Sequence, residues 1–400
     1  MSILFTPLQI GALEIKNRFV HAGTYECMAD ENGFVTDQLI NRYKHLARGE
    51  VALIIPGYMN VHPYGRATPH QTCADSDDKI PGLKRLADTI HENGAKACFQ
   101  LAHAGRQTKK EYTGGHPPMG PSGVGRDPMY LVKPRAMTEE EIEAAIEAYG
   151  KAAGRLVEAG TDAIHVSAGA GYLPNQFLSP YLNQRKDQWG GSDENRFRFV
   201  REVILAVRKR MPEGMPLVMK LNAADYTPKD GVTPDLAKTY AGWLSALGVD
   251  ALEVTTGTTV FSNMHMWRGE VPVKEFVRPL PKWQKPLAWL VLRNMVGKFD
   301  FEEMWNLSHA RVIKPVLGDT RMFVVGGNRR VEQMEKLIES GDADAISMCR
   351  PFIRESYLVK RIKEGKTREA ACISCNKCVG AIVNNMPLRC YADGLPAKRQ

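Results

Sequence analysis

Short runs of apolar and β-branched residues recur along the chain, several ending near glycine. They cover 18–23 (RFVHAG), 51–57 (VALIIPG), 95–101 (AKACFQL), 162–167 (DAIHVS), 217–222 (LVMKLN), 250–255 (DALEVT), 322–327 (MFVVGG) and 343–348 (ADAISM). Each is short enough for a buried strand. Most are separated by stretches of helical period, among them 139–159, 194–211, 234–247 and 331–340. Thr138 followed by Glu141 predicts a capping box at the start of the first. Alternating strands and helices predict a parallel sheet with crossover helices, and eight strands predict an α/β fold closed as a (β/α)8 TIM barrel.

Two segments exceed a minimal barrel. Residues 107–135 are rich in Gly and Pro and predict a long loop over one end. Residues 258–319, between the sixth and seventh strands, carry Trp267, Trp283, Trp289 and Trp305 and are far longer than an ordinary connection. Loops after strand C-termini build the active sites of such barrels, so this insertion is expected either to shape a substrate pocket or to serve as a packed excursion or oligomer contact.

The chain has 400 residues, 44% of them apolar, and a formal net charge of +8. No apolar run approaches the roughly 18 residues of a membrane span. The start, MSILFTP, lacks the basic opening and apolar core of an export signal. A cytoplasmic protein with no membrane partner is expected. Charges of both signs are interleaved, without the basic stripe that would suggest a nucleic-acid partner. Four of the eight cysteines crowd the C-terminus, which points to a metal site rather than a disulfide framework.

Strand ends carry the candidate chemistry. The seventh strand ends in Gly326-Gly327 shortly before a helical stretch, and the eighth in Cys349-Arg350. Loops after these two strands often hold a phosphate in barrels, with glycines admitting close backbone approach and an arginine supplying a fixed cation. Gln100 and Lys220 are polar residues late in otherwise apolar strands. A flavin ring, whose reduced form becomes anionic, would use both an amide and a cation, although a lysine so placed can also snorkel to water.

The chain resembles the old yellow enzyme family of FMN-dependent oxidoreductases. The resemblance rests on FTPLQIG from Phe5, Lys16-Asn17-Arg18, QLAHAGR from Gln100, GYLPNQFLSP from Gly171, WGGSDENRFR from Trp189, and Arg350-Pro351-Phe352. It implies FMN across the strand C-termini. Thr24 and Gly57 would line the ring, Gln100 and Lys220 would hold its pyrimidine side, and Gly326, Gly327, Cys349 and Arg350 would hold the phosphate. Tyr172 matches the tyrosine that protonates the substrate carbon next to the one receiving hydride. The chain departs from the family at Ser167 and Ala170, where many members present two His or His and Asn, and at Tyr25, where Thr or Cys is common. These positions also vary in the branch resembling 2,4-dienoyl-CoA reductase and trimethylamine dehydrogenase. In those reductases a loop histidine assists protonation, and His265 is the nearest counterpart.

The tail reads Cys372-Ile-Ser-Cys375-Asn-Lys-Cys378, with Cys390 eleven residues on. Three thiols on one tight loop and a fourth from outside suit the four corners of a [4Fe-4S] cluster, and the same grouping marks that branch. A structural zinc, which more often uses two separated pairs, is the alternative. No Gly-rich dinucleotide fingerprint is present, and the chain stops ten residues after Cys390. Electrons are therefore expected to pass through a separate FAD-containing reductase or ferredoxin, with direct reduction by NAD(P)H as the rival.

The sequence thus predicts an FMN-binding barrel over 1–365 and a cluster-binding segment over 366–400. The expected function is reduction of an activated C=C bond by hydride from the flavin. An amine dehydrogenase or demethylase using Tyr25, Tyr58 and Trp267 as aromatic faces, or a subunit used only for electron transfer, are the alternatives.

Overall fold

The computed structural model describes residues 2–129 and 131–397, so the last three residues of the predicted tail segment lie outside the described residues. Eight parallel strands close on themselves: β1 (Phe19–His21), β2 (Leu53–Ile54), β3 (Lys96–Ala102), β4 (Ala163–Ala168), β5 (Leu217–Asn222), β6 (Ala251–Thr255), β7 (Arg321–Val325) and β8 (Ala345–Met348). Val20 pairs with Leu53 at one seam and Ile346 with Phe19 at the closing seam. All eight lie within the predicted runs or within one residue of them.

The main helices are α1 (Asp37–Arg48), α2 (Ile80–Glu92), α3 (Glu139–Glu158), α4 (Asp193–Arg208), α5 (Pro234–Ala246), α6 (Leu307–Ile313), α7 (Val331–Glu339) and α8 (Leu358–Lys363). Thr36, Ser192 and Thr233 cap α1, α4 and α5 by accepting a backbone N–H three residues on. Thr138 and Glu141 form the full reciprocal box at α3.

Period-2 alternation sorts the strand residues. Ile164, Val166, Met219, Leu252, Met322 and Ile346 face the helices and join the large outer core. The inward positions form a separate floor of Val20, Leu53, Cys98, Ala163, Val218, Ala251, Phe323 and Ala345. An antiparallel hairpin, Leu8–Ile10 with Leu13–Ile15, closes the barrel beneath this floor with Leu8, Ile10 and Ile15. Two residues further up the strands the inward positions turn polar: Gln100, His165, Lys220, Glu253 and Ser347. The apolar floor therefore carries a polar layer beneath the mouth.

Candidate active site at the barrel mouth

The polar layer is a connected network. Gln100 Nε2 donates to His165 Nδ1 at 3.0 Å, and His165 Nε2 lies 3.7 Å from Glu253 Oε2. Lys220 Nζ reaches the same oxygen at 2.9 Å, and the Ser347 hydroxyl donates to Glu253 Oε1. Burial pushes the Glu253 carboxyl up. Lys220, the bond from His165 and the Ser347 hydroxyl outweigh that and hold it well below the usual carboxylate range. His165 is driven down by burial, so at neutral pH it is an uncharged imidazole. Glu253 fixes the ammonium of Lys220 at the point where an anionic ring edge would need it.

Above this layer the strand ends converge. Thr24 Oγ1 lies 2.8 Å from Cys349 Sγ, tying the segment after β1 to that after β8. The Gly57 N–H donates to Glu26 Oε1 at 2.6 Å and to the Tyr43 hydroxyl at 3.1 Å. Burial raises the Glu26 carboxyl, against hydrogen bonds from Tyr43 and Gly57 that lower it. A Cβ on Gly57 would collide with Glu26 and with the Thr24 carbonyl, so only glycine fits.

At the end of β4 the chain turns through two left-handed residues, Ala170 (φ +56°) and Gly171 (φ +82°), before Tyr172. Asn222 Oδ1 accepts the Ala170 N–H at 2.9 Å, and Asn175 Oδ1 accepts that of Gly171 at 2.8 Å. This turn presents Tyr172, whose ring centroid lies 4.8 Å from that of Tyr58, which in turn lies 5.9 Å from that of Tyr25. Three phenols thus form a row across the mouth. Burial pushes the Tyr58 hydroxyl up to about 12, although a hydrogen bond with Tyr172 opposes the shift. Ser167 points into the barrel and Ala170 contributes backbone, so neither supplies the polar pair common in the family.

Gly326 (φ +114°) and Gly327 (φ +78°) make the expected left-handed turn after β7. Its cause includes packing: a Cβ on Gly327 would come 2.5 Å from the Glu302 carbonyl, and one on Gly326 would meet Trp305 at 2.7 Å. The end of the insertion therefore lies directly on the glycine pair. The first N–H of α7 is taken by the Arg368 carbonyl at 2.9 Å. Arg350 donates to Asn376 Oδ1 at 2.5 Å and to the Trp267 carbonyl at 3.3 Å, linking the end of β8 to both insertion and tail.

His265 belongs to an aromatic group with Tyr226 and Phe299. Its ring stacks on Tyr226 at 3.8 Å and meets Phe299 edge-on at 5.1 Å, and the Tyr226 hydroxyl bonds His309 at 3.1 Å. Sequence reasoning missed His165, Glu253, Glu26 and Asn376. The signal for the first two was present, since both occupy inward positions two residues above the apolar floor.

All four tail cysteines are free thiols and line one small cavity of about 20 Å³ together with Arg350, Arg354 and Asn376. Burial pushes the Cys378 thiol up to about 12, with Cys349, Cys372 and Cys375 adding to the shift. Among the described residues no three His, Cys, Asp or Glu side chains converge as ligands of one ion.

The comparisons with known proteins agree with this geometry. Residues 3–288 match the family described as NADH:flavin oxidoreductase / NADH oxidase. A 4,4'-dithiodibutanoate disulfide reductase of Rhodococcus erythropolis is 33% identical over 95% of this chain and 93% of its own length. An NADH oxidase of Thermoanaerobacter brockii is 34% identical over 97% of the chain. A solved 2-naphthoyl-CoA reductase bound to 2-naphthoyl-CoA superposes with a TM-score of 0.84 at 27% identity, covering 97% of the chain. The chain spans 55% and 56% of the lengths of these last two relatives. A closed parallel barrel with a polar layer under its mouth, matched across most of its length, makes this chain an FMN oxidoreductase of the NADH:flavin oxidoreductase / NADH oxidase family.

Proposed function

We propose that the protein reduces an activated C=C bond, with electrons relayed by a [4Fe-4S] cluster in the tail. The observation that carries this reading is the pairing of Tyr172 and Tyr58 at the end of β4, above the Lys220–Glu253 network. The residues fit FMN. Gln100 and Lys220 would hold the polar ring edge, Thr24 and Gly57 would line the ring, and Gly326, Gly327, Cys349 and Arg350 would surround the phosphate. Bound there, FMN supplies hydride transfer. Lys220, neutralised by Glu253 when the site is at rest, answers the charge that develops on reduction. Tyr172 delivers a proton to the substrate carbon beside the one reduced, and its hydrogen-bonded neighbour Tyr58 orders the phenol for that transfer. His265, expected to assist protonation, packs ring to ring against Tyr226 and Phe299.

The four thiols fit a cluster better than a single zinc. Structural zinc more often uses two separated Cys pairs, whereas here three thiols share one short loop and the fourth comes from outside it. Cys372, Cys375, Cys378 and Cys390 would hold the cluster, which passes one electron at a time. A donor such as a separate FAD-containing reductase or ferredoxin suits that step.

The test is anaerobic purification with flavin, iron, sulfide and zinc analysis, followed by mixing with candidate substrates. We expect one FMN and about four iron and four sulfide per chain. Reduced flavin should be reoxidised by an enone or enoyl thioester. Zinc in place of iron would overturn the relay. Flavin reduction by a methylated amine would replace the reading with amine oxidation, for which the tyrosine row offers aromatic faces. Rapid reduction by NADH alone would remove the need for a partner, and reoxidation only by a disulfide of the kind named for the Rhodococcus relative would change the substrate class.

A further inference from the structure

Thirteen large apolar side chains are exposed among the described residues, and six of them fall between positions 283 and 296 of the insertion. The helix Lys285–Arg293 and the residues flanking it place Trp283 (77% exposed), Leu287 (69%), Leu290 (62%) and Val291 (53%) at spacings of four, three and one. At helical period these four lie on one face, and that face is turned to solvent rather than to the core. Trp289 on the other side of the helix and Val296 beyond its end are exposed as well. Such a concentration on one short helix is an interaction surface, not scattered exposure.

Charge selects the occupant. From residue 276 to residue 299 the chain carries Arg278, Lys282, Lys285, Arg293 and Lys298 and no acidic residue. A two-fold contact centred on this patch would set it against itself, five cations facing five. A bilayer of anionic lipid offers an apolar interior and negative headgroups side by side in one plane, as a tryptophan-bearing helix with basic flanks requires. We propose that this helix seats the protein peripherally on an anionic membrane surface, with Trp283, Leu287, Leu290 and Val291 inserted at the level of the acyl boundary and the five cations among the headgroups. No helix of the described residues is long and apolar enough to cross a membrane. The insertion leaves the barrel at the C-terminal end of β6, the end that carries the candidate active site, and the attachment does not depend on which reaction runs there.

The test is flotation of the full-length holoprotein with vesicles of phosphatidylcholine alone or mixed with phosphatidylglycerol. Binding to the mixed vesicles is expected, with a blue shift of tryptophan emission and loss of binding at high salt. The double variant Trp283→Ser, Leu290→Ser alters only exposed side chains and should keep its flavin content and circular dichroism while losing about tenfold or more in partitioning. Absence of flotation with either vesicle overturns the proposal. So does equal binding of wild type and variant, or a wild-type oligomer in light scattering that the variant converts to monomer.

Discussion

Glu253 has no solvent exposure, and its oxygens are shared among Lys220, Ser347 and His165. Replacing it with Gln would keep the shape and strand the Lys220 ammonium without a counter-charge. Breaking a buried pair from one side costs about 3 kcal/mol, so Glu253→Gln should unfold at lower urea and retain less FMN. An unchanged midpoint would show that the pair is not what holds the layer together. The same carboxyl sets an acid dependence. Its pKa is depressed in the folded chain from the ordinary carboxylate value of about 4.5, so its contribution is complete above that value and is lost as pH falls below it. Wild-type stability should therefore drop more steeply below about pH 4.5 than that of Glu253→Gln. Tyr172, the proposed proton donor, bears on activity instead. Tyr172→Phe should leave flavin reduction intact and slow substrate reduction by about 10²–10⁴-fold, and Tyr58→Phe should slow it less. Stopped-flow measurement of the two half-reactions separates these effects.

At the scale of elements, what the sequence could reveal followed from how locally each signal is written. Helices α3, α4, α5 and α7 end within three residues of their predicted bounds because caps and period are local. The first two strands are shorter than the runs that predicted them. Phe19–His21 and Leu53–Ile54 leave the ladder early, and the remaining residues, through Thr24 and Gly57, become the mouth. Lys220 was legible as a charge in an apolar strand and Glu253 carried the same signal, but their pairing was not legible, because it depends on which strands become neighbours. The floor hairpin escaped notice since three-residue strands carry no periodic signal. The insertion was read either as a wall of the substrate pocket or as a packed excursion, and it touches both mouth and tail: Thr259 N–H donates to the Ala170 carbonyl at 3.1 Å, Glu270 N–H to the Ser374 carbonyl at 3.1 Å, and Asn384 Nδ2 to the Glu275 carbonyl at 2.8 Å. Gly269 is the tightest point of that seam. It has φ +143°, and a Cβ there would strike the Ser374 carbonyl, two residues past Cys372. Gly269→Ala should thus lower the iron-to-flavin ratio of purified protein while the barrel still binds FMN. An unaltered ratio would mean that the seam does not shape the thiol loop.

Over the whole molecule, insertion and tail act as one body set against the barrel. Asn376, between the second and third cysteines of the tail, is 1% exposed and left-handed at φ +55°. Its amide donates to the carbonyls of Trp267 (2.6 Å) and Glu270 (3.0 Å), while its oxygen accepts Arg350. One side chain therefore joins the thiol loop, the insertion and the cation proposed for the flavin phosphate. The barrel is held independently, by its closed ladder and by the apolar layers inside and outside the strands. Local opening follows the cooperative unit to which a segment belongs. Chelation of the proposed cluster should accordingly speed amide exchange in residues 267–276 and 370–390 together, with the strands still protected, and should weaken FMN retention through the loss of Arg350's anchor. Faster exchange confined to the tail would show that the two segments are separate units, and the seam would then have no part in coupling the cluster site to the flavin.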